Sequence, residues 1–296
     1  MRVDIDAHIK ENIKHRYMTI QNIDYDKRGK SVIDKFFPSC FVYGQDISKN
    51  AAFISKFLSV YTGNKHIPFE EIATCFIDSD TLLKLLTKVK AKKLNISLIG
   101  YGGMGINLLH FISLLADSVD IKHIFRSLQI YEADNLSFSN TFRIYKDITK
   151  YASDINPQNK LRLFDEYNLA KDVKLIERRF TKDDISINQL YIGAPDFTTR
   201  KALYDSNFIF TGHKDDAVML VSSPIVNDSL TIESYGSINL TTFFLNLIAV
   251  TIEFLKQLAN IDISAPLQKD TLLYQYSILD DEKRLDTLNA KFKIYY

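Results

Sequence analysis

The sequence predicts an α/β chain built on a doubly wound sheet, and three observations carry that expectation. An apolar run, Leu94, Ile96, Leu98 and Ile99, breaks into Gly100-Tyr101-Gly102-Gly103-Met104-Gly105. Apolar residues then recur at helical spacing through Ile106, Leu108, Leu109, Phe111, Ile112, Leu114 and Leu115. A second apolar run, Leu128-Gln129-Ile130-Tyr131, ends in Glu132. Strand, glycine turn, helix, strand and acidic residue is the order of a Rossmann-like βαβ unit.

Each glycine has a distinct task in such a unit. Gly100 permits the tight turn, Gly102 lets the backbone approach a phosphate, and Gly105 lets the helix pack close to the strand. The helix start offers N–H groups and a positive dipole end to an anion. Glu132 is placed to accept a ribose hydroxyl. The plain alternative is a tight turn that binds nothing, but the flanking strands and helix supply the context that the fingerprint demands. Asn140 and Arg143 follow Glu132 closely and extend the signal.

Bulk properties narrow the class. With 296 residues, the chain is long enough for about two domains at roughly 150 residues each. A hydrophobic share of 46% and a charged share of 25% are those of a globular protein. A net charge of +1 gives no long-range attraction to nucleic acid or to an anionic membrane. The basic cluster Lys88 to Lys93 ends a helical pattern, where a solvated, dipole-favourable face accounts for it. Two cysteines, Cys40 and Cys75, exclude a disulfide framework and a four-cysteine zinc site within one chain. Met1-Arg2-Val3-Asp4 does not read as a signal peptide. The long apolar stretch Phe243 to Leu258 is interrupted by Asn246, Glu253 and Lys256, as in a buried helix rather than a membrane span. A cytoplasmic location is expected.

Residues 1–93 read as a small, mostly helical N-terminal domain for partner recognition or dimer packing, and residues 94–296 as the nucleotide-binding domain. In the first part, one helix is expected over Ile5 to Ile20 and another through Leu58 and Val60. A later one, capped near Asp78 or Ser79, carries Leu82, Leu83, Leu85, Leu86 and Val89. Beyond the central unit, Asn156-Pro157 marks a turn, and a helix is expected over Leu161 to Leu169. Leu190 to Ala194 and Phe208 to Gly212 read as strands. Between them, Thr198 or Thr199 caps a short helix holding Arg200 and Leu203. Val218 to Val221 and Leu230 to Glu233 have β character, Ile238 to Leu258 is a long helix, and Leu272 to Ile278 and Phe292 to Tyr296 are again β-like.

Three motifs together resemble a known family. Ile99-Gly100-Tyr101-Gly102-Gly103-Met104-Gly105 resembles the glycine loop of the ThiF/MoeB-like activating enzymes, relatives of the ubiquitin-activating enzymes that adenylate a C-terminal carboxylate. Glu132 to Arg143 is similar to that family's acidic strand end and its Ser-Asn-x-x-Arg motif, here Ser139-Asn140-Thr141-Phe142-Arg143. Gly193 to Arg200 resembles its third signature, an aspartate after a strand with an arginine four residues on. The resemblance spans about residues 94 to 260 and leaves the first 93 outside it.

The resemblance implies roles for particular residues. Gly100, Gly102, Gly103 and Gly105 would form the nucleotide loop. Glu132 would bind ribose, where the family usually has aspartate. Asn140 and Arg143 would contact the ATP phosphates, joined by a lysine, for which Lys160 is the candidate and Lys146 and Lys150 the alternatives. Asp196 would hold Mg²⁺ beside the α-phosphate. Such chemistry brings two anions together, so it needs cations and N–H donors where charge develops. Arginine supplies a planar fork and lysine a mobile point charge. No general base is needed, because the attacking carboxylate is already ionised. A homodimer and a small ubiquitin-like protein or peptide substrate are further implications.

The pattern also departs from the family. No cysteine follows Cys75, so a thioester-forming residue is missing after the third motif, and so are paired Cys-x-x-Cys zinc motifs. Lys14 to Thr19 resembles the family's Arg-Tyr-x-Arg segment, with Thr19 in place of the second arginine. The expected activity is therefore adenylation without a covalent thioester. Two other classes stay open: a NAD-dependent oxidoreductase, which the glycine loop and Glu132 permit, and a catalytically degenerate ThiF-like adaptor. Each candidate residue also has a structural alternative. Arg143 could instead be a strand-end ion-pair partner, Asp196 a helix cap and Lys160 a surface lysine, while His110, inside an apolar helix pattern, reads as a packed core residue rather than a catalytic one.

Overall fold

A computed structural model of the chain describes residues 73, 76–136, 144, 157–164, 167–214, 217–222, 240–265, 267 and 271–276. Seven strands form one sheet: β1 (Asn95–Ile99), β2 (Phe125–Tyr131), β3 (Ala170–Ile176), β4 (Leu190–Gly193), β5 (Phe208–Lys214), β6 (Ala217–Ser222) and β7 (Thr271–Tyr276), in the order β3-β2-β1-β4-β5-β6-β7. The first five neighbours run parallel, and β6 and β7 add antiparallel pairs at one edge. The chain moves outward from β1 to β3, then returns to place β4 on the other side of β1. That reversal opens a crevice beyond the carboxyl ends of β1 and β4, where sheets of this type bind ligands. The fold is Rossmann-like, as the sequence predicts.

Alternation along each central strand feeds two different layers. Ile96 and Leu98 of β1 and Leu128 and Ile130 of β2 enter the larger core. There they meet α1 (Ser79–Ala91), α2 (Gly103–Ser118) and α4 (Leu240–Asn260). The opposite face gathers Ile99, Tyr131, Phe180, Tyr191, Leu203, Phe208 and Phe210. Leu203 there closes the short helix α3 (Phe197–Ala202). Toward the amino ends this second face turns polar: Ser127 Oγ donates to Asn95 Oδ1 at 2.9 Å, and Gln189 Nε2 donates to Ser97 Oγ at 2.8 Å.

Helix α1 follows its expected pattern. Asp78 caps it by accepting from Thr81 N at 2.9 Å, and Lys88 and Lys90 lie in its last turn. Its Leu82, Leu86 and Val89 are buried in the larger core, so this helix shares the interior of the sheet.

Two expectations need revision. The helix expected over Leu161 to Leu169 is only a 3₁₀ turn, Lys160–Leu163, after which the chain enters β3. Its apolar residues cap the core sideways. Phe164 meets Tyr101 with ring centroids 6.3 Å apart, and Tyr167 meets His110 at 6.1 Å. The cap of α3 is Asp196 rather than Thr198 or Thr199, because Asp196 Oδ1 accepts from Thr199 N at 2.8 Å. The expected helices over Ile5 to Ile20 and through Leu58, the strands at Leu230 to Glu233 and Phe292 to Tyr296, and both cysteines lie outside the described residues. Among the described residues, no helix is long and apolar enough to cross a membrane.

Candidate functional site

The crevice at the strand reversal is about 350 Å³ and is lined by four chain segments besides the glycine loop. Those segments are Tyr131 to Asp134, Lys160, Arg178 to Phe180, and Ala194 to Asp196 with Thr199. A cavity of this volume falls in the range of small-molecule sites.

The glycine loop forms the floor. Gly100 sits at φ +85°, a conformation that side chains rarely adopt, and its N–H donates to Tyr131 O at 3.0 Å. Gly105 is required for packing, since a Cβ there would strike the Gly100 carbonyl oxygen and sit 3.2 Å from Leu98 Cδ2. Gly102 is required by neither constraint: a Cβ there would meet no atom within 4 Å. It caps α2 without a side chain, so the first-turn amides of Gly103, Met104 and Gly105 face the crevice end of the helix with no side-chain cap. That leaves an N-terminal dipole end bare, and Gly102 keeps the approach to it open.

The wall after β2 is a connected set of charges. Glu132 is 7% exposed and Lys160 9% exposed. Glu132 Oε1 accepts from Asp134 N at 2.8 Å, while Oε2 lies 3.8 Å from Lys160 Nζ. Lys160 Nζ also donates to Asp134 Oδ2 at 3.1 Å. The backbone fastens the same contact: Leu136 N donates to Gln158 O at 2.7 Å, and Asn159 Nδ2 to Glu132 O at 3.3 Å. Lys160 is thus held in the crevice rather than on the surface.

The wall after β3 was not foreseen. Arg178 Nη1 and Nη2 donate to Asp184 Oδ2 and Oδ1 at 2.8 and 2.6 Å. Asp184 Oδ2 also accepts from Thr181 N at 2.8 Å and from Thr181 Oγ1 at 3.0 Å. The Arg178 guanidinium, with these bonds, holds the Asp184 carboxyl down to about 2. Burial, followed by the nearby Asp184 charge, raises the Tyr131 hydroxyl above its ordinary value. Phe180 packs edge-on between Tyr131 and Tyr191, at 5.1 and 5.5 Å. The signal that would have found this wall is β3 itself. Its alternation is obscured by Lys171, Asp172 and Lys174, charges that suit an edge strand.

Of the residues singled out from sequence, Gly100, Gly102, Gly103, Gly105, Glu132, Lys160 and Asp196 line this one crevice. Asn140 and Arg143, with Lys146 and Lys150, lie outside the described residues. Asp196 caps α3 through Oδ1, which leaves Oδ2 outside that bond. Arg200 is buried with its guanidinium 5.3 Å from the centre of the Phe210 ring, on the second face of the sheet. Among the described residues no three His, Cys, Asp or Glu converge as a metal-holding group. A hydrated Mg²⁺ carried by phosphates needs only one or two carboxylates. The single oxygen of Asp196 fits that kind of ion and would not cage a metal alone.

No protein-family model and no curated protein matches the chain. Among solved structures it is similar to E. coli MccB with ATP, at 14% identity and a TM-score of 0.41, covering 77% of this chain and 78% of that one. It is similar also to the microcin C7 biosynthetic enzyme MccB in complex with N-formylated MccA, at 12% identity and a TM-score of 0.40, covering 79% and 80%. Selenomethionine PaaA gives 12% identity and a TM-score of 0.40, covering 81% and 76%. A likeness at this level does not carry an activity; the chain's own residues have to.

Proposed function

We propose that the chain is an ATP- and Mg²⁺-dependent adenylyltransferase of ThiF-like type, acting on the C-terminal carboxylate of a peptide or small protein. One observation carries the reading. A bare helix start, a buried lysine–glutamate pair and a free aspartate oxygen line one crevice at the strand reversal. Those are the groups that a triphosphate with its ribose and metal asks for.

In this scheme the α2 amides and Lys160 receive phosphate oxygens, Glu132 accepts a ribose hydroxyl, and Asp196 Oδ2 takes the metal. Arg143 and Asn140 join the phosphates. Bound there, Mg²⁺ would neutralise phosphate charge. An oxygen of the acceptor carboxylate forms a bond to the α-phosphorus, and the bond from that phosphorus to the bridging oxygen of the β-phosphate breaks. Pyrophosphate leaves with the electron pair, and an acyl adenylate remains. No proton moves, so the reaction does not need a general base. The chain's work is to hold two anions in line and to place positive charge beside them.

The acceptor carboxylate enters from outside the crevice, and residues 1–93 are the proposed unit that holds it or a second copy of the chain. A homodimer is part of the same proposal. Pyrophosphate exchange into ATP tests the activity, with peptides bearing free C-terminal carboxylates compared with the same peptides amidated. Exchange is expected only with the free carboxylates and is expected to fall in Arg143→Ala. Exchange undiminished in that variant contradicts the assignment.

A further inference from the structure

The wall after β3 is a built feature that the scheme above leaves unused. Arg178 lines the crevice with its side chain 53% exposed, yet it is not loose. Asp184 takes the fork of its guanidinium through two bonds, and Nη1 also donates to Arg179 O at 3.1 Å. Asp184 is itself fixed by Thr181, within a capping box at the 3₁₀ turn Lys182–Asp184. The loop is pinned again where Tyr191 Oη accepts from Ser186 N at 2.7 Å. The guanidinium carbon lies over the Tyr131 ring, 5.6 Å from its centroid.

This arrangement decides what Arg178 can do. An arginine that binds phosphate offers its two-pronged edge, and here that edge already belongs to a carboxylate. What remains is a flat, positively charged group whose centre lies over the Tyr131 ring and which lines the crevice. Planes of this kind stack on nucleobases, through cation–π attraction and surface contact. The position agrees: Glu132 N donates to Ile176 O at 3.1 Å, so Arg178 follows the strand that adjoins the proposed ribose carboxylate.

We propose that Arg178, clamped by Asp184 and backed by Tyr131, is the platform on which the nucleotide base stacks. This rests on the crevice being a nucleotide site. It assigns the base to the β3 wall and the phosphates to the α2 amides, which follow β1, two strands away in the sheet. Arg178 is a binding residue here and takes no part in bond making.

Calorimetric titration of the full chain with ATP, and separately with inorganic tripolyphosphate as the base-free probe, tests the assignment. Arg178→Ala is expected to weaken ATP binding about tenfold and to leave tripolyphosphate unchanged. Arg178→Lys keeps the charge and loses the plane, so it is expected to behave like alanine. Equal ATP binding by wild type and Arg178→Ala overturns the proposal. So does a parallel loss of ATP and tripolyphosphate, which would make Arg178 a phosphate ligand, and so does full rescue by lysine. Wild-type chain that binds neither probe overturns the nucleotide site itself; wild type that binds ATP while Arg178→Ala binds it equally overturns only the platform. If Arg178→Ala does not fold, Arg178→Lys and Arg178→Met are read by the same criteria.

Discussion

Lys160 Nζ stands 3.8 Å from Glu132 Oε2, and both side chains are almost wholly withdrawn from solvent. A lysine and a glutamate 28 residues apart in sequence (160 − 132) are thereby set in one wall of the crevice. Buried charges of this kind are tolerated when each has a partner, and removing one leaves the other exposed to the full desolvation penalty.

Lys160→Met is therefore expected to lower stability by about 1–3 kcal/mol, read from urea unfolding. It is also expected to weaken ATP binding. Glu132→Gln combined with Lys160→Met should recover part of the stability loss, because the two effects are coupled. Strict additivity in that double-mutant cycle would mean that the pair does not interact.

The glycines separate packing from approach. Gly105→Ala places a methyl against the Gly100 carbonyl and is expected to destabilise by about 1–3 kcal/mol. Gly102→Ala meets open space at φ −87°, so its stability loss should stay within about 1 kcal/mol, that of an alanine at a helix N-cap. ATP affinity should nevertheless fall in Gly102→Ala, since the methyl occupies the approach to the helix start. Unchanged affinity there would mean that no ligand comes close to that loop.

Asp196 has two duties that different substitutions part. Asn is a good helix cap, so Asp196→Asn is expected to keep thermal stability while losing most pyrophosphate exchange. Asp196→Ala should lose the exchange and about 1 kcal/mol of stability as well. Full exchange in Asp196→Asn would reduce the residue to its cap.

Asp184 sets an acid limb. Its carboxyl is held near 2, below the ordinary 3.8, so the folded state favours the ionised form. The stabilisation is present above about pH 4 and is lost as pH falls toward 2. Urea midpoints measured between pH 5 and 2, against Asp184→Asn, check this prediction. The variant should flatten that part of the profile, and identical profiles would rule out the ion pair as its source.

The central unit was legible because its signals are local. The central strands betray themselves by closely spaced apolar residues, as Leu94, Ile96, Leu98 and Ile99 do at β1, and the turn into α2 demands glycine at Gly100 and Gly105. Glu132 directly follows the end of β2, and Asp196, which the family resemblance marks, stands three residues after the end of β4. The misses have physical causes. Edge strand β3 carries charges on its open face, so the period-two signal is blurred and the Arg178–Phe180 wall behind it stayed hidden. Leu161 to Leu169 has the apolar content of a helix, but its rings are spent capping the core around Tyr101 and His110. No sequence interval announces that Lys160 meets Glu132, because only the fastening of residues 157–160 onto 132–136 brings them together.

The most direct measurement is calorimetric titration of the full chain with ATP–Mg²⁺ and, in parallel, with NAD. The predicted result is one ATP site per chain that weakens in both Gly102→Ala and Lys160→Met, with no heat from NAD. Preferential binding of NAD, or ATP binding that both variants leave intact, would contradict a triphosphate site at the start of α2.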